Sequence, residues 1–581
     1  MDDSPENGFV EGKRDGHGQG GAESHAVFDD GLSGVDFHHE SLLGNWPHPA
    51  TKRVRRHVFS FSGHGFDFCS ATAQIAAMLA LLPCRRSLRN LSITTPGRAV
   101  GIFFLLLCLA VPVTVVRAEE AGKVLHVVNR LTYGPAPGDL DRVAAMGTAA
   151  FIAGQLEPER IEEPAVLGEK LAGLPTESMN TVRLFREFGP SSGGGEQGDP
   201  ESMRRVFDRA GAAALEAARA RLCRAILSKR QLFELMVAFW CEHFNLGDKK
   251  GLAHLWAGSF EREAIRPHAM GRFLDLLAAT SMHPAMLIAR DNWKNVVRRE
   301  GSGAPRAEID PTYAAILIGH QTLGPHGPQK PEDVKALARI LTGWRVGAAR
   351  DGSESGGFYF DPELHDPTDK VFLGQTIKGS GVSEGVAALR ILAGHPATAV
   401  TISRKLVQYF LCDEPPASLV SRLAKTFSET DGDIREVLRA LFSSPEFFDP
   451  KYMGKRFKSP VRQAISAVRA TGAVPADTAA LAGALVGLGQ PLFAAGGPEG
   501  YPAAGAAWIK PEGVARRISL AGDLVSGRLP ALPRGAAGLR VPALAETLGS
   551  GLSAATRAAA AKAPGNLGAA VLLASPDFMR Y

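Results

Sequence analysis

The sequence predicts a mainly α protein, a multi-helical globular body carrying one small β-hairpin. Apolar residues recur at helical spacing along most of the chain, as in Leu232, Leu235, Met236, Phe239 and Trp240. Alanine and glycine are abundant while aromatics reach only 7%, a mix that suits closely packed helices joined by permissive loops. A hairpin pattern concentrates in one place, where Phe358 and Phe360 alternate with Tyr359 and Val371, Phe372 and Leu373 suit a returning strand.

Length and charge set the bounds. A chain of 581 residues with 45% apolar and 22% charged residues is ordinary for a globular protein. The net charge of +5 is small for this size, and no long basic run occurs in the body, so nucleic acid is not an expected partner. Six cysteines form no CxxC pair and no zinc-finger spacing. Cys223 and Cys241 lie at unmatched distances from the turn near Lys229, so no disulfide is expected between them. No GxSxG elbow, Walker loop or HExxH occurs, which removes the commonest hydrolase and nucleotide readings.

Residues 1–84 read as a disordered or mis-started extension, with Met78 a plausible alternative start and scattered histidines at no metal spacing. Residues 85–118 read as a signal peptide or N-terminal membrane anchor. Arg85, Arg86, Arg89 and Arg98 precede the uncharged run AVGIFFLLLCLAVPVTVV, and small residues (Val116, Ala118) follow. Either reading delivers residues 119–581 to the periplasm or cell envelope, with the membrane engaged only through this segment. Basic and acidic residues balance before Glu119, so the body carries the whole +5.

The body, residues 119–581, is helical in order. Asp139 starts a helix, and Gly147 stops one and lets the next begin. Residues 189–200 form a flexible loop, a long alanine-faced helix runs from about Glu201 to Ser228, and the next stops at Gly247. Glu242 and His243, at its polar end, are either a ligand or acid/base pair or a dipole-facing histidine beside a solvated glutamate. Pro267 and Pro284 break and start helices beside His268 and His283, each histidine being a cap, a packing residue or a site member. Asp291 and Asn292 cap the next turn or line a cleft.

At these residues the chain resembles an exported bacterial family recorded as domain of unknown function 1800. The likeness rests on VNRLTYGPAPGDLDRV, MVAFWCEHF, REAIRPHAMGRFLDLL, HPAMLIARDN, DVKALARILTGWRV, the F-x-F…HD…K hairpin, HPATAVTISRKLV, DGDIREVLRALFSSPEFF and LLASPDFM. The resemblance implies a helical protein with no established activity and a second exported protein, of sulfatase-like type, as partner. It also exposes a departure. Where the family reads close to NENYARELMELHTLG, this chain has DPTYAAILIGHQTLG: Ala315, Ile316, Gly319 and Gln321 stand for Arg, two Glu and His. Ile316 and Gly319 neither bind metal nor shuttle protons, so the function of that helix is expected to be lost or altered.

The hairpin, residues 355–380, keeps its polar groups: Asp361, Glu363, His365, Asp366 and Lys370. His365 and Asp366 are the candidate ligands of a divalent metal, the one cofactor class indicated. The competing account is a solvated loop with Asp-Pro turns and a salt bridge to Lys370. Asp431-Gly432-Asp433 reads as a helix cap rather than a calcium loop, Lys451 to Arg456 as a solvated basic face, and residues 491–508 as an irregular cover anchored by Phe493, Tyr501 and Trp508.

The functional expectation is a non-catalytic or activity-reduced partner or scaffold for another exported protein. The alternative is a hydrolase whose metal or acid/base site draws on His243, His283, Asp291, His365, Asp366 and Lys370.

Overall fold

The computed structural model describes residues 119–189, 200–247, 251–297, 309–347 and 357–581. The expected N-terminal extension, the export segment and nearly all of the 189–200 loop lie outside the described residues.

Helices dominate, as the sequence predicts. Helical residues 119–131 bury Val124, Val127, Val128 and Leu131, the i, i+3, i+4, i+7 stripe of one apolar face. Helices Asp139–Met146 and Thr148–Gln155 meet at Gly147, whose φ of +87° permits the break. The long helix Pro200–Leu227 turns Ala210, Ala213, Ala217 and Ala225 inward. These small side chains let its neighbours approach closely: a Cβ on Gly258 would stand 3.2 Å from Ala217. Helix Gln231–His243 is buried along most of its length. Its Trp240 is fully enclosed and donates to the Ala269 carbonyl at 2.8 Å. One apolar cluster runs from Val124 to Phe578.

Two helices depart from α geometry. Phe260–Ile265 and Leu317–Thr322 are π-turns. The first leads into Pro267, which has no N–H with which to continue the ladder. A buried ion-pair network surrounds it: Arg221–Glu261 at 2.8 Å, Arg266–Glu234 at 2.6 Å and Arg266–Glu261 at 3.1 Å. Glu261 therefore joins the π-turn to the long helix, and Arg266 ties it to helix Gln231–His243.

The strand pairing differs from the expected hairpin. β1 (Trp344–Val346) pairs antiparallel with β2 (Phe358–Phe360), Trp344 opposite Phe360. β3 (Lys370–Phe372) pairs with β4 (Gln375–Ile377). Phe358–Phe360 thus pairs backwards to the helix end, and the returning strand forms its own tight hairpin. Its turn residues, Leu373 and Gly374, have φ of +47° and +77°, the signs of a type I′ turn. The left-handed Leu373 is held by its N–H, which donates to Asp333 at 2.8 Å. In the segment 491–508 the Phe493 ring lies 4.0 Å under the Arg221 guanidinium, and the Tyr501 hydroxyl donates to the Pro491 carbonyl.

Trp344 is fully buried and seats β1 against helix Val382–Gly394. A Cβ added to Gly385 would fall 2.1 Å from the indole. Gly385→Ala is expected to cost about 1–3 kcal/mol through overpacking, seen as an earlier midpoint in urea denaturation. An unchanged midpoint would contradict this packing.

Candidate functional site

The polar hairpin closes around Glu384, from the first turn of helix Val382–Gly394 and fully buried. Its Oε1 accepts from the Ser380 and Gly381 N–H groups at 2.9 and 3.1 Å. His365 Nε2 stands 2.8 Å from the same oxygen, and Lys370 Nζ donates to Oε2 at 2.6 Å. The Thr342 hydroxyl spends its hydrogen on the Arg339 carbonyl, so His365 Nδ1 donates to the Thr342 carbonyl at 2.8 Å. Both ring nitrogens therefore face oxygen atoms of the protein. Asp366 accepts from Arg339 Nε at 2.7 Å and from the Thr368 N–H and hydroxyl at 3.0 and 2.6 Å. Burial pushes its carboxyl up, but Arg339 and Thr368 more than offset this and hold it at about 2.

The loop is solvated only in part: Pro362, Glu363, Pro367, Thr368 and Asp369 are exposed while His365 and Lys370 are buried, and the main counter-ion of Lys370 is Glu384, not Asp366. Nor does His365 keep a lone pair for a metal, because both nitrogens are committed to protein acceptors. Among the described residues, no group of three or more His, Cys, Asp or Glu side chains is placed to hold a metal ion.

A second polar cluster forms where the π-turn Leu317–Thr322 ends. The last carbonyls of a helix lack intrahelical donors, and here two are capped from other elements. Lys405 Nζ, from helix Pro396–Phe410, donates to the His320 carbonyl at 3.0 Å. His243 Nε2 donates to the Gln321 carbonyl at 3.0 Å, leaving Nδ1 to accept from Lys405 at 3.0 Å. Burial, with Lys405 adding to it, drives the His243 pKa well below its usual value, so the ring is neutral. Burial alone lowers Lys405 to about 8. An amine with a depressed pKa held against an imidazole has the chemistry of a general base or nucleophile.

The remaining candidates lie elsewhere. His283 caps helix Pro284–Ala289: Nδ1 accepts from the Ala285 N–H at 3.1 Å, and Nε2 meets Thr181 Oγ1 at 3.1 Å. Asp291 adopts a left-handed turn conformation (φ +55°) and pairs with Lys294 at 3.3 Å. Glu242 turns from His243 toward the covering segment and accepts from the Tyr501 N–H at 3.1 Å; burial raises its pKa. Of the six candidates, the structure unites His365, Asp366 and Lys370, pairs His243 with Lys405, and gives His283 and Asp291 structural posts. Sequence reasoning missed Glu384 and Lys405. The first sits in a helix with no motif of its own, and the second pairs with His243 across 162 positions.

The family model for "Protein of unknown function (DUF1800)" matches residues 126–580. The chain belongs to this family. No curated protein and no solved structure matches it. Ala315 and Ile316 end helix Thr312–Ile316, and Gly319 and Gln321 lie in the π-turn that continues it. Ala315 is exposed, Ile316 and Gly319 are half-exposed, and a Cβ at Gly319 would meet nothing within 4 Å. Gln321 is 1% exposed, and its Oε1 has no hydrogen-bond partner among the described residues. The helix expected here widens into a π-turn, whose His320 carbonyl accepts from Lys405.

Two outcomes follow from these clusters. Glu384→Ala leaves Lys370 buried without its carboxylate and is expected to cost about 3–5 kcal/mol in chemical denaturation; a loss under about 1 kcal/mol would refute the staple. Lys405 has a folded pKa of about 8 against an ordinary 10.5, so between these values the unfolded chain binds more protons. Stability therefore rises with pH through that window. In thermal unfolding from pH 7.5 to 10.5, Lys405→Met is expected to flatten the rise, and an identical slope in both proteins would contradict the assignment.

Proposed function

We propose that the protein is an exported, envelope-resident, activity-reduced member of the DUF1800 family that acts as a scaffold for another exported protein, of sulfatase-like type. One observation carries the reading: the ionisable side chains His365, Asp366 and Lys370 are spent on internal partners, with Glu384 neutralising two of them. A group that cannot change partners without exposing a buried charge is a poor acid or base. The inert Ile316 and Gly319 remove the second set of proton-transfer groups. Export is supported by the arginine-flanked apolar run before Glu119, and the body's mild basicity suits an anionic envelope surface.

One observation favours a second reading, residual acid/base activity: the Lys405–His243 pair stands beside the altered π-turn, and Lys405 is only partly buried.

The two separate in one experiment. Tagged full-length protein, recovered from the envelope fraction, is expected to bring down a sulfatase-like exported protein equally well as wild type, His243→Gln and Lys405→Met. Recovery of the intact chain from cytosol alone would overturn the scaffold reading. So would hydrolysis of a generic ester that falls by about 100-fold or more in Lys405→Met.

A further inference from the structure

A cleft opens between helical residues 119–131 and the segments around Leu552 and Phe578. It is open to solvent on one side and is lined by Leu125, Asn129, Lys458, Leu552, Asp577 and Phe578 among others. Lys458 is 3% exposed. Its backbone is pinned at both ends of the residue: the N–H donates to the Met579 carbonyl at 2.8 Å, and its own carbonyl accepts from Arg517 at 2.6 Å. Its ammonium has no hydrogen bond and no ion pair among the described residues, and meets only the Phe578 ring at 3.9 Å. A buried cation normally has a carboxylate or several carbonyls around it.

The charged neighbours do not supply that partner. Asp577 faces the same cleft, but its carboxylate accepts from the Ser553 N–H at 2.9 Å and the Thr556 hydroxyl at 2.6 Å, at the start of helix Ala554–Lys562. Arg580 also lines the cleft. Arg462 donates to the Asn129 and Thr132 carbonyls, and Arg517 to the Lys458 carbonyl and Gln463. Burial, with Arg462 adding to it, pushes the Lys458 pKa well below the lysine range. The amine is thus left without a polar partner, on a wall that it shares with Leu125, Leu552 and Phe578.

We propose that this cleft binds a small monocarboxylate with a short apolar tail, its carboxylate on Lys458 and its tail against Leu125, Leu552 and Phe578. An arriving anion makes the charged form of the lysine favourable again, so the amine takes a proton from solvent as the ligand binds. The exchange balances: a neutral amine, a carboxylate anion and one solvent proton become an ammonium–carboxylate pair. Neither the scaffold reading nor the Lys405–His243 pair is needed for this step.

Isothermal titration of the full chain with butyrate at pH 7.5, in two buffers of different ionisation enthalpy, tests it. Saturable binding with net uptake of about one proton, weakened at least about tenfold in Lys458→Met, is the expected result. Absence of saturable binding, binding without proton uptake, or equal affinity in Lys458→Met would each overturn it. The buffer comparison on wild type decides the matter by itself should the variant fold poorly.

Discussion

A carboxylate sealed from water must be answered by positive charge and N–H donors, and Glu384 is answered by both. It draws His365 and Lys370 from the strand segment, the Ser380 and Gly381 N–H groups from its own helix start, and, through His365, the Thr342 carbonyl at the end of helix Pro331–Ile340. Three segments that share no regular sheet thereby take fixed positions. The three-residue strands around them are too short to be stable alone; the charge cluster and the Trp344 packing make them persist.

The same logic recurs in the helical half. Arg221, Glu261, Arg266 and Glu234 form a continuous buried network, with Arg224 and Arg262 meeting on Glu177 beside it. Each guanidinium presents a planar fork that satisfies more than one acceptor. Alanine on the facing helix supplies little contact area, so the ion pairs fix how the long helix lies against the π-turn. Polar residues that resemble a site on paper are here the means of joining helices.

Helices were legible because each buries a regular stripe: Leu232, Leu235, Met236, Phe239 and Trp240 announce their element without help from tertiary structure. Caps were legible too, since Asp433 accepts from the Glu436 N–H as the DGD motif suggests. The His-Pro pairs gave helix starts, yet the capping lone pair at His283 and His395 shows only in three dimensions. Strand pairing was not legible. Three-residue strands carry almost no periodicity, and Phe358–Phe360 suits either neighbour equally. Arg456, read as part of a solvated face, is 5% exposed, because the chain returns over it and brings the Tyr581 ring to 5.7 Å. Of the expected site residues, His365 and Lys370 meet on one partner, Glu384, which lies outside the motif and was therefore not legible from it.

A π-turn contains one residue more than the α-turn it replaces, so Leu317–Thr322 reads as a helix that has absorbed a single-residue insertion. Excising one residue there would rewind the segment to ordinary α-turns and leave the helix on either side in phase. The two carbonyls now clasped by Lys405 and His243 would then point elsewhere. The extra residue thus aims those carbonyls and leaves the path of the helix as it was.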